Sequence, residues 1–234
     1  MKTQTWFLLG CSRGLGKCFS QHLLQISPEL FPKNIFLASR KTELFTKNFP
    51  TITKEMQEGH FLKMDFAKTP QWTTFFKQIK NINPDRIIYF AGGGPFSDFN
   101  ERKWKDHFWA LKVNFLFPMA LVIESKNLSN LKQMTFIGSA IAESNPDPKA
   151  ASYSAGKHAL KGMVTSLQAE GSLKYDLRLF SPGYMDTDLL PPQSWPRQAQ
   201  DKNLVKKPEF VAEKLFDWLE NPNDANRHLV FDMK

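Results

Sequence analysis

The chain has 234 residues, 41% of them hydrophobic and 23% charged, with a formal net charge of +8. That length suits one sizeable buried core rather than two. The basic residues are dispersed and dense only in short stretches such as 102–105 and 202–207, which reads as a solvated basic surface and excludes a polybasic nucleic-acid or lipid-binding tract. The longest apolar run, 115–123, contains Pro118 and is too short to span a bilayer, and no charged-then-apolar leader precedes the first apolar segment, so a cytoplasmic protein is expected.

Residues 5–9 predict a short buried strand that runs straight into Gly10-Cys-Ser-Arg-Gly14-Leu-Gly16, and an apolar helix follows with Leu15, Phe19, Leu23 and Leu24 on one side. A second strand is expected at 34–38, a third at 60–65, a helix at 71–80, and a fourth strand at 86–90 that ends in Ala91-Gly-Gly-Gly94. A long helical stretch carrying Asn114 leads to a fifth strand at 133–138, then a helix at 152–171 and a strand at 176–180. Residues 186–205 are polar and proline-rich with Trp195 in their middle; 208–220 reads as a last helix and 228–232 as a last strand. Strands alternating with helices along the whole length predict an α/β fold, a single doubly wound domain with a mainly parallel sheet of about seven strands.

Strand, glycine turn and helix form the setting in which a glycine motif binds a dinucleotide. Gly10 permits the sharp turn, Gly14 lets the backbone approach a pyrophosphate, and Gly16 lets the helix pack on the sheet. Helix N-terminal amides then face the phosphates. Further on, Tyr153 and Lys157 stand four positions apart in a helix and project from one face. A neighbouring ammonium favours a phenolate, so Lys157 is expected to lower the Tyr153 pKa from its ordinary value of about 10 toward the working range. Taken alone, the glycines also fit a turn of no chemical consequence, and the Tyr–Lys spacing is common in amphipathic helices. The two cysteines, Cys11 and Cys18, make neither a CxxC nor a zinc pattern, and the five histidines are scattered, so no metal site is expected.

Together these motifs make the chain resemble the short-chain dehydrogenase/reductase family over nearly its whole length. The family's GxxxGxG matches Gly10, Gly14 and Gly16, and its Tyr-x-x-x-Lys matches Tyr153 and Lys157. Its strand-end serine matches Ser139, its helical asparagine Asn114, and its Pro-Gly element Pro182 and Gly183. The resemblance implies a Rossmann-type NADP(H)-dependent oxidoreductase acting on a small-molecule carbonyl substrate, with Asn114, Ser139, Tyr153 and Lys157 catalytic. It implies that Ser12, Arg13 and Leu15 of the glycine turn, Ala91, Gly92 and Gly93, Pro182, Gly183 and Thr187 bind the cofactor, as do Tyr153 and Lys157 themselves. Asp65 resembles the residue that bonds the adenine edge, the alternative being a loop-capping Asp. A homodimer or homotetramer, pairing through the helices of Asn114 and Tyr153, is the family expectation.

Where an NAD-preferring site has an acid, at the end of the second strand, this chain reads Leu37-Ala-Ser39-Arg40. Arg40 suits a bidentate grip on a 2′-phosphate, Ser39 can donate to it, and Arg13 adds a second cation, so NADP(H) is expected. One departure stands out: the family's Asn-Asn-Ala-Gly after the fourth strand is Tyr89-Phe90-Ala91-Gly92 here, which removes the usual bracing of the sheet beside the cofactor. The 24–28 insertion, the Met185-Asp-Thr-Asp188 run and the ending at 231–234 are similar to the sepiapterin reductase and benzil reductase branch. That likeness implies a small aromatic, dicarbonyl or pterin-like substrate and a pterin-anchoring part for Asp232; Phe96, with Tyr184 and Trp195 of a substrate loop at about 184–207, fits an aromatic pocket or, equally, ordinary packing. A non-catalytic NADP(H)-binding regulator on the same fold is the alternative. The retention of Ser139, Tyr153, Lys157 and Asn114 together favours an enzyme.

Overall fold

In the first strand, β1 (Trp6–Leu9), all four residues are buried: Trp6 and Leu8 point into one hydrophobic cluster, Phe7 and Leu9 into another. That alternation requires cover on both faces of the sheet, and a strand buried on both faces reads as an unbroken apolar run. The structure, a computed structural model, describes residues 4–27, 34–49, 60–143, 147–199, 202–221 and 224–231. Asp232, assigned a substrate role from the sequence, lies outside them.

After β1 come α1 (Gly14–Ile26), β2 (Ile35–Ser39), α2 (Glu43–Asn48), β3 (Phe61–Lys63), α3 (Trp72–Ile82) and β4 (Arg86–Tyr89). A helix with three parts follows: α4 (Trp104–Leu111), a π-helical turn at Lys112–Leu116, and α5 (Phe117–Ser125). Then come β5 (Gln133–Ile137), α6 (Ala151–Glu170), β6 (Asp176–Pro182), β7 (Tyr184–Met185), α7 (Trp195–Gln198), β8 (Val205–Lys206), α8 (Pro208–Glu220) and β9 (His228–Phe231). Seven strands pair in the order β3-β2-β1-β4-β5-β6-β9, every pair parallel. The order reverses direction at β1 and β4, where a doubly wound sheet opens its crevice. On one face α1 and α8 pack together through Leu15, Phe19, Leu23, Val211, Leu215 and Trp218; on the other lie Phe75, Phe117, Leu121, Leu160 and Val164.

The structure departs from the sequence reading in three places. The stretch read as a loop at about 184–207 carries regular structure: β7 and β8 form a small parallel pair, and Arg197 ties α7 to the carbonyls of Thr187 and Leu190. The stretch Trp104–Ser125, 22 residues, is long and apolar enough to cross a membrane by length and composition, although its apolar run alone is short. Here Ala110, Val113, Phe117 and Leu121 are buried within the protein.

The third departure is the π turn itself. The N–H of Phe117 bonds back to Lys112, five residues away, and the residue five beyond Val113 is Pro118, which has no N–H to give. The Val113 carbonyl instead accepts a hydrogen bond from Tyr89 Oη at 2.7 Å. The Tyr89 ring is fully buried, in a cluster with Phe66, Phe117 and Phe136. The side chain that replaces the family's first asparagine therefore restores a brace between β4 and the Asn114 segment, by a different bond. Phe90, the second replacement, packs on Phe19 with ring centroids 5.3 Å apart. Tyr89→Phe keeps the ring and deletes only this bond, leaving a buried carbonyl unpaired, and is expected to cost about 1–3 kcal/mol. Urea unfolding of the two proteins checks it, and an unchanged midpoint would mean that the phenol braces nothing.

Candidate functional site

The strand ends converge on one cavity of about 520 Å³, whose walls come from the segments that follow β1, β2, β3, β4, β5 and β6. Carboxyl ends of parallel strands are where open α/β sheets bind ligands. Gly10 takes φ +88°, and a Cβ there would stand 2.4 Å from the Ala91 amide nitrogen; a Cβ at Gly16 would stand 2.6 Å from the Gly10 carbonyl oxygen. The turn is thus packed so tightly against the end of β4 that only glycine fits, leaving the N-terminus of α1 open toward the cavity. Such a cradle is the shape a pyrophosphate requires. Ser12, Arg13, Gly14 and Leu15 share this wall.

At the β2 end, Ser39 Oγ donates to Ser12 Oγ at 2.6 Å, so in this structure it braces the glycine turn. Arg40 is exposed and lies over the Trp109 ring, 5.6 Å from its centroid. Arg13 faces Asp188 at 3.4 Å, an exposed pair that contributes little to stability. Asp65 lines the cavity, but its Oδ1 accepts the Ala67 N–H at 3.1 Å, which is the turn-capping alternative weighed from the sequence. Thr187 reaches over the glycine turn, its methyl 3.5 Å from a Cβ built at Gly14.

Ala91, Gly92 and Gly93 line the cavity beyond β4. Asn114 is fully buried and does not itself line it. Its Nδ2 donates to the carbonyls of Gly93 (2.6 Å) and Ala110 (2.7 Å), and its Oδ1 accepts the Gly93 N–H at 3.3 Å. A residue expected to order water thus clamps the loop after β4, and it sits directly behind Lys157, because a Cβ at Gly156 would meet Asn114 Cβ at 2.8 Å.

Ser139, Tyr153 and Lys157 all reach the cavity. Ser139 begins a short 3₁₀ turn, Ala140–Ala142, accepting the Ile141 N–H at 3.4 Å. Lys157 Nζ donates to the Ile137 carbonyl at 2.7 Å and sits 5.6 Å from the Tyr153 ring centroid. Burial pushes the Lys157 ammonium down to about 7. The expected lowering of Tyr153 does not occur: burial raises its phenol, a bond with Ser139 opposes this, and the Asp147 carboxylate adds to the rise. Desolvation weakens both charged forms here, so the ammonium expected to lower the phenol is itself disfavoured. Pro182 and Gly183 close this side, held by β9 through the Gly183 N–H and the Phe231 carbonyl at 2.9 Å. Phe96, Tyr184 and Trp195 line the far end, the last two edge-on with centroids 6.0 Å apart.

Both cysteines are buried thiols pushed up to about 12 by desolvation, so Cys11 and Cys18 are packing groups rather than nucleophiles.

A polar knot that the sequence reading missed lies behind Ser139. The side chain of Glu143 is only 6% exposed. It accepts hydrogen bonds from Ser181 Oγ at 2.9 Å and from Lys161 Nζ, and lies 2.8 Å from His228 Nε2. It therefore joins the Ser139 turn to β6, β9 and α6 at one point. Burial alone would raise its carboxyl, but bonds from Lys161 and Ser181 and the charges of His228 and Lys161 outweigh that and hold it below its ordinary value of 4.5. The signal was faint: Lys161 repeats the four-residue step from Tyr153 to Lys157, placing it on the same helical face.

Residues 4–197 match the family model for short chain dehydrogenase. No curated protein matches the chain. A short chain dehydrogenase from Burkholderia cenocepacia J2315, solved with NADP, is 18% identical over 98% of this chain and 96% of its own, with a TM-score of 0.76. BdcA, solved with NADPH, is 20% identical over 97% and 92%, TM-score 0.74. A 4-hydroxyisoleucine dehydrogenase solved with NADH and succinate is 18% identical over 97% of each chain, TM-score 0.77.

Glu143→Ala leaves Lys161 and His228 without their anion and is expected to cost about 3 kcal/mol of stability. Glu143→Gln tests the charge alone. Because the folded carboxyl titrates below 4.5, its contribution is present above that pH and is lost as pH falls through the lower folded value. The melting-temperature gap between wild type and Glu143→Gln should therefore be widest near neutrality and narrow in acid. A gap independent of pH would show that the charge plays no part.

Proposed function

Because the chain belongs to the short-chain dehydrogenase family and is an oxidoreductase, we propose that it reduces the carbonyl of a small aromatic, dicarbonyl or pterin-like compound to an alcohol, using NADPH. The observation that carries this reading is the meeting of Ser139, Tyr153 and Lys157 on one cavity wall, opposite a glycine turn that no side chain can fill. Bound NADPH supplies the hydride to the carbonyl carbon. Tyr153 gives its proton to the carbonyl oxygen, and burial favours the protonated phenol that a donor needs. Ser139 donates a hydrogen bond to the same oxygen as charge develops on it. Lys157, fixed by the Ile137 carbonyl, stands where it can hold a nicotinamide ribose and return a proton to Tyr153, with Asn114 clamping the neighbouring loop through Gly93.

Arg40 supports the choice of NADP(H): it is exposed at the end of β2, where no acid waits for ribose hydroxyls, and its guanidinium carbon lies over the Trp109 ring. The neighbours differ among themselves, some solved with NADP or NADPH and one with NADH, so the NADP(H) reading of this chain rests on these residues. Phe96, Tyr184 and Trp195, in and beside the 184–207 loop, supply an aromatic wall for the substrate. Trp104, Phe108, Met119 and Ile123 are exposed along the Asn114-bearing helix, which gives homodimer or homotetramer pairing an apolar face. Two free thiols accord with a cytoplasmic setting.

Tyr153→Phe is expected to lower turnover of vicinal diketones and aromatic aldehydes about a hundredfold or more while NADPH still binds, as read by cofactor fluorescence. Equal turnover would remove Tyr153 from the chemistry. Tight NADPH binding with no turnover in the wild type would favour a non-catalytic regulator. Arg40→Ala should weaken NADPH by about ten- to a hundredfold and NADH hardly at all; equal losses would sink the phosphate role.

A further inference from the structure

The strand order gives the cavity two chemically different ends. Arg40 and Asp65 follow β2 and β3 on one side of the sheet; Asp147 and Tyr184 follow β5 and β6 on the other. At this second end the wall is made of Phe96, Pro148, Leu190 and Trp195, and Asp147 stands among them as a carboxylate. It is held in place: Tyr184 Oη donates to Asp147 Oδ1 at 2.5 Å, and Trp195 packs edge-on against the Tyr184 ring. Burial, then the carboxylate that accepts its proton, push the Tyr184 phenol far up, so Tyr184 acts as a permanent donor. Among the described residues Asp147 forms no ion pair with a lysine or arginine. Asp147 is half-buried, and with one neutral donor on it its charge is still open to a cation or a further donor that enters the cavity.

We propose that Asp147, oriented by Tyr184, is a specificity-determining residue that receives an amino group or other N–H-bearing nitrogen of the substrate near the carbonyl that is reduced. The preferred substrates are then amino ketones and related nitrogen-bearing carbonyl compounds. This rests on the carbonyl-reductase reading above and narrows its substrate class. The carboxylate also lies near enough to Tyr153 for its charge to oppose phenolate formation. A substrate ammonium bound to Asp147 cancels that opposition, so the right substrate makes the proton donor a better one as it binds. Neutral ketones of the same shape receive no such help and leave the carboxylate without a partner.

The test uses two isosteres, β-aminopropiophenone, charged at neutral pH, and butyrophenone, with a methyl in place of the ammonium. With NADPH present, kcat/KM for the amino ketone should exceed that for butyrophenone by about tenfold or more. In Asp147→Asn, which keeps an oxygen for Tyr184 to bond but removes the charge, the two ketones should fall to near equality. Tyr184→Phe should reduce the preference through KM. A wild-type enzyme that treats the ketones alike, or an Asp147→Asn enzyme that keeps the preference, would overturn the proposal. Calorimetric titration of the two corresponding alcohols separates this from the reductase reading. Tighter binding of the amino alcohol that is lost in Asp147→Asn upholds the subsite even if neither ketone turns over, a result that would reject the reductase reading alone. Equal binding of the two alcohols overturns the subsite whatever the turnover.

Discussion

Asn114 holds the loop after β4 by both of its amide atoms, and the positions of the reactive groups follow from that grip. Its bonds to Gly93 fix Gly92–Gly94 against the helix, and the glycines then allow contacts that no other residue would. A Cβ at Gly94 would stand 2.8 Å from Tyr153 Cβ, and one at Gly92 3.3 Å from Lys157 Nζ. From the other side Gly156 lets Asn114 itself come close to α6. The three glycines and one buried amide therefore bring the β4 loop, the helix of Asn114 and the helix of Tyr153 to one point. A buried amide with its donors and acceptor satisfied is rigid because every alternative leaves a polar group unpaired.

That grip needs a helix able to present Asn114 at the right angle, and the π turn supplies it. Pro118 removes a backbone donor, Tyr89 provides another from the sheet, and the rings of Phe66, Trp72, Phe76 and Tyr89 surround Phe117 just beyond the turn. Aromatic packing of this kind exceeds what area alone provides by about 0.5–1.5 kcal/mol per pair. Replacing two amides by Tyr89 and Phe90 thus moves the support of the site from side-chain amides to a phenol and an aromatic core. The proline and the tyrosine belong to one device: the first creates the carbonyl's need, the second meets it.

Much of this was legible in the sequence, because periodicity and glycine placement are local. The seven parallel strands, the helix of Tyr153 and Lys157, and the closeness required at Gly10 and Gly16 follow from spacing and from the stereochemistry of residues without side chains. What depended on three dimensions was not legible. Nothing in the linear order brings Glu143 to Ser181 and His228, which are separated from it by 38 and 85 positions. The partnership of Asp147 with Tyr184 spans 37. The pKa of Tyr153 was misjudged for a similar reason. Helical spacing shows that an ammonium is near, but whether it acts depends on how dry the cavity is, and burial is a property of the whole fold.

The two polar clusters missed from the sequence divide the work of the second half of the cavity. Glu143 lies behind the wall, nearly inaccessible and paired with Lys161 and His228, and its bonds join the Ser139 turn to the strand that ends at Pro182. Asp147 lies in the wall, bonded to one phenol. The same chemical group thus meets two different constraints. A carboxylate with bound cations is already compensated for its burial and stabilises geometry, whereas one without a cation retains its capacity for a ligand. The difference between the two lies in the groups around them and not in the acids, and it makes one a support for Ser139 and leaves the other facing the substrate.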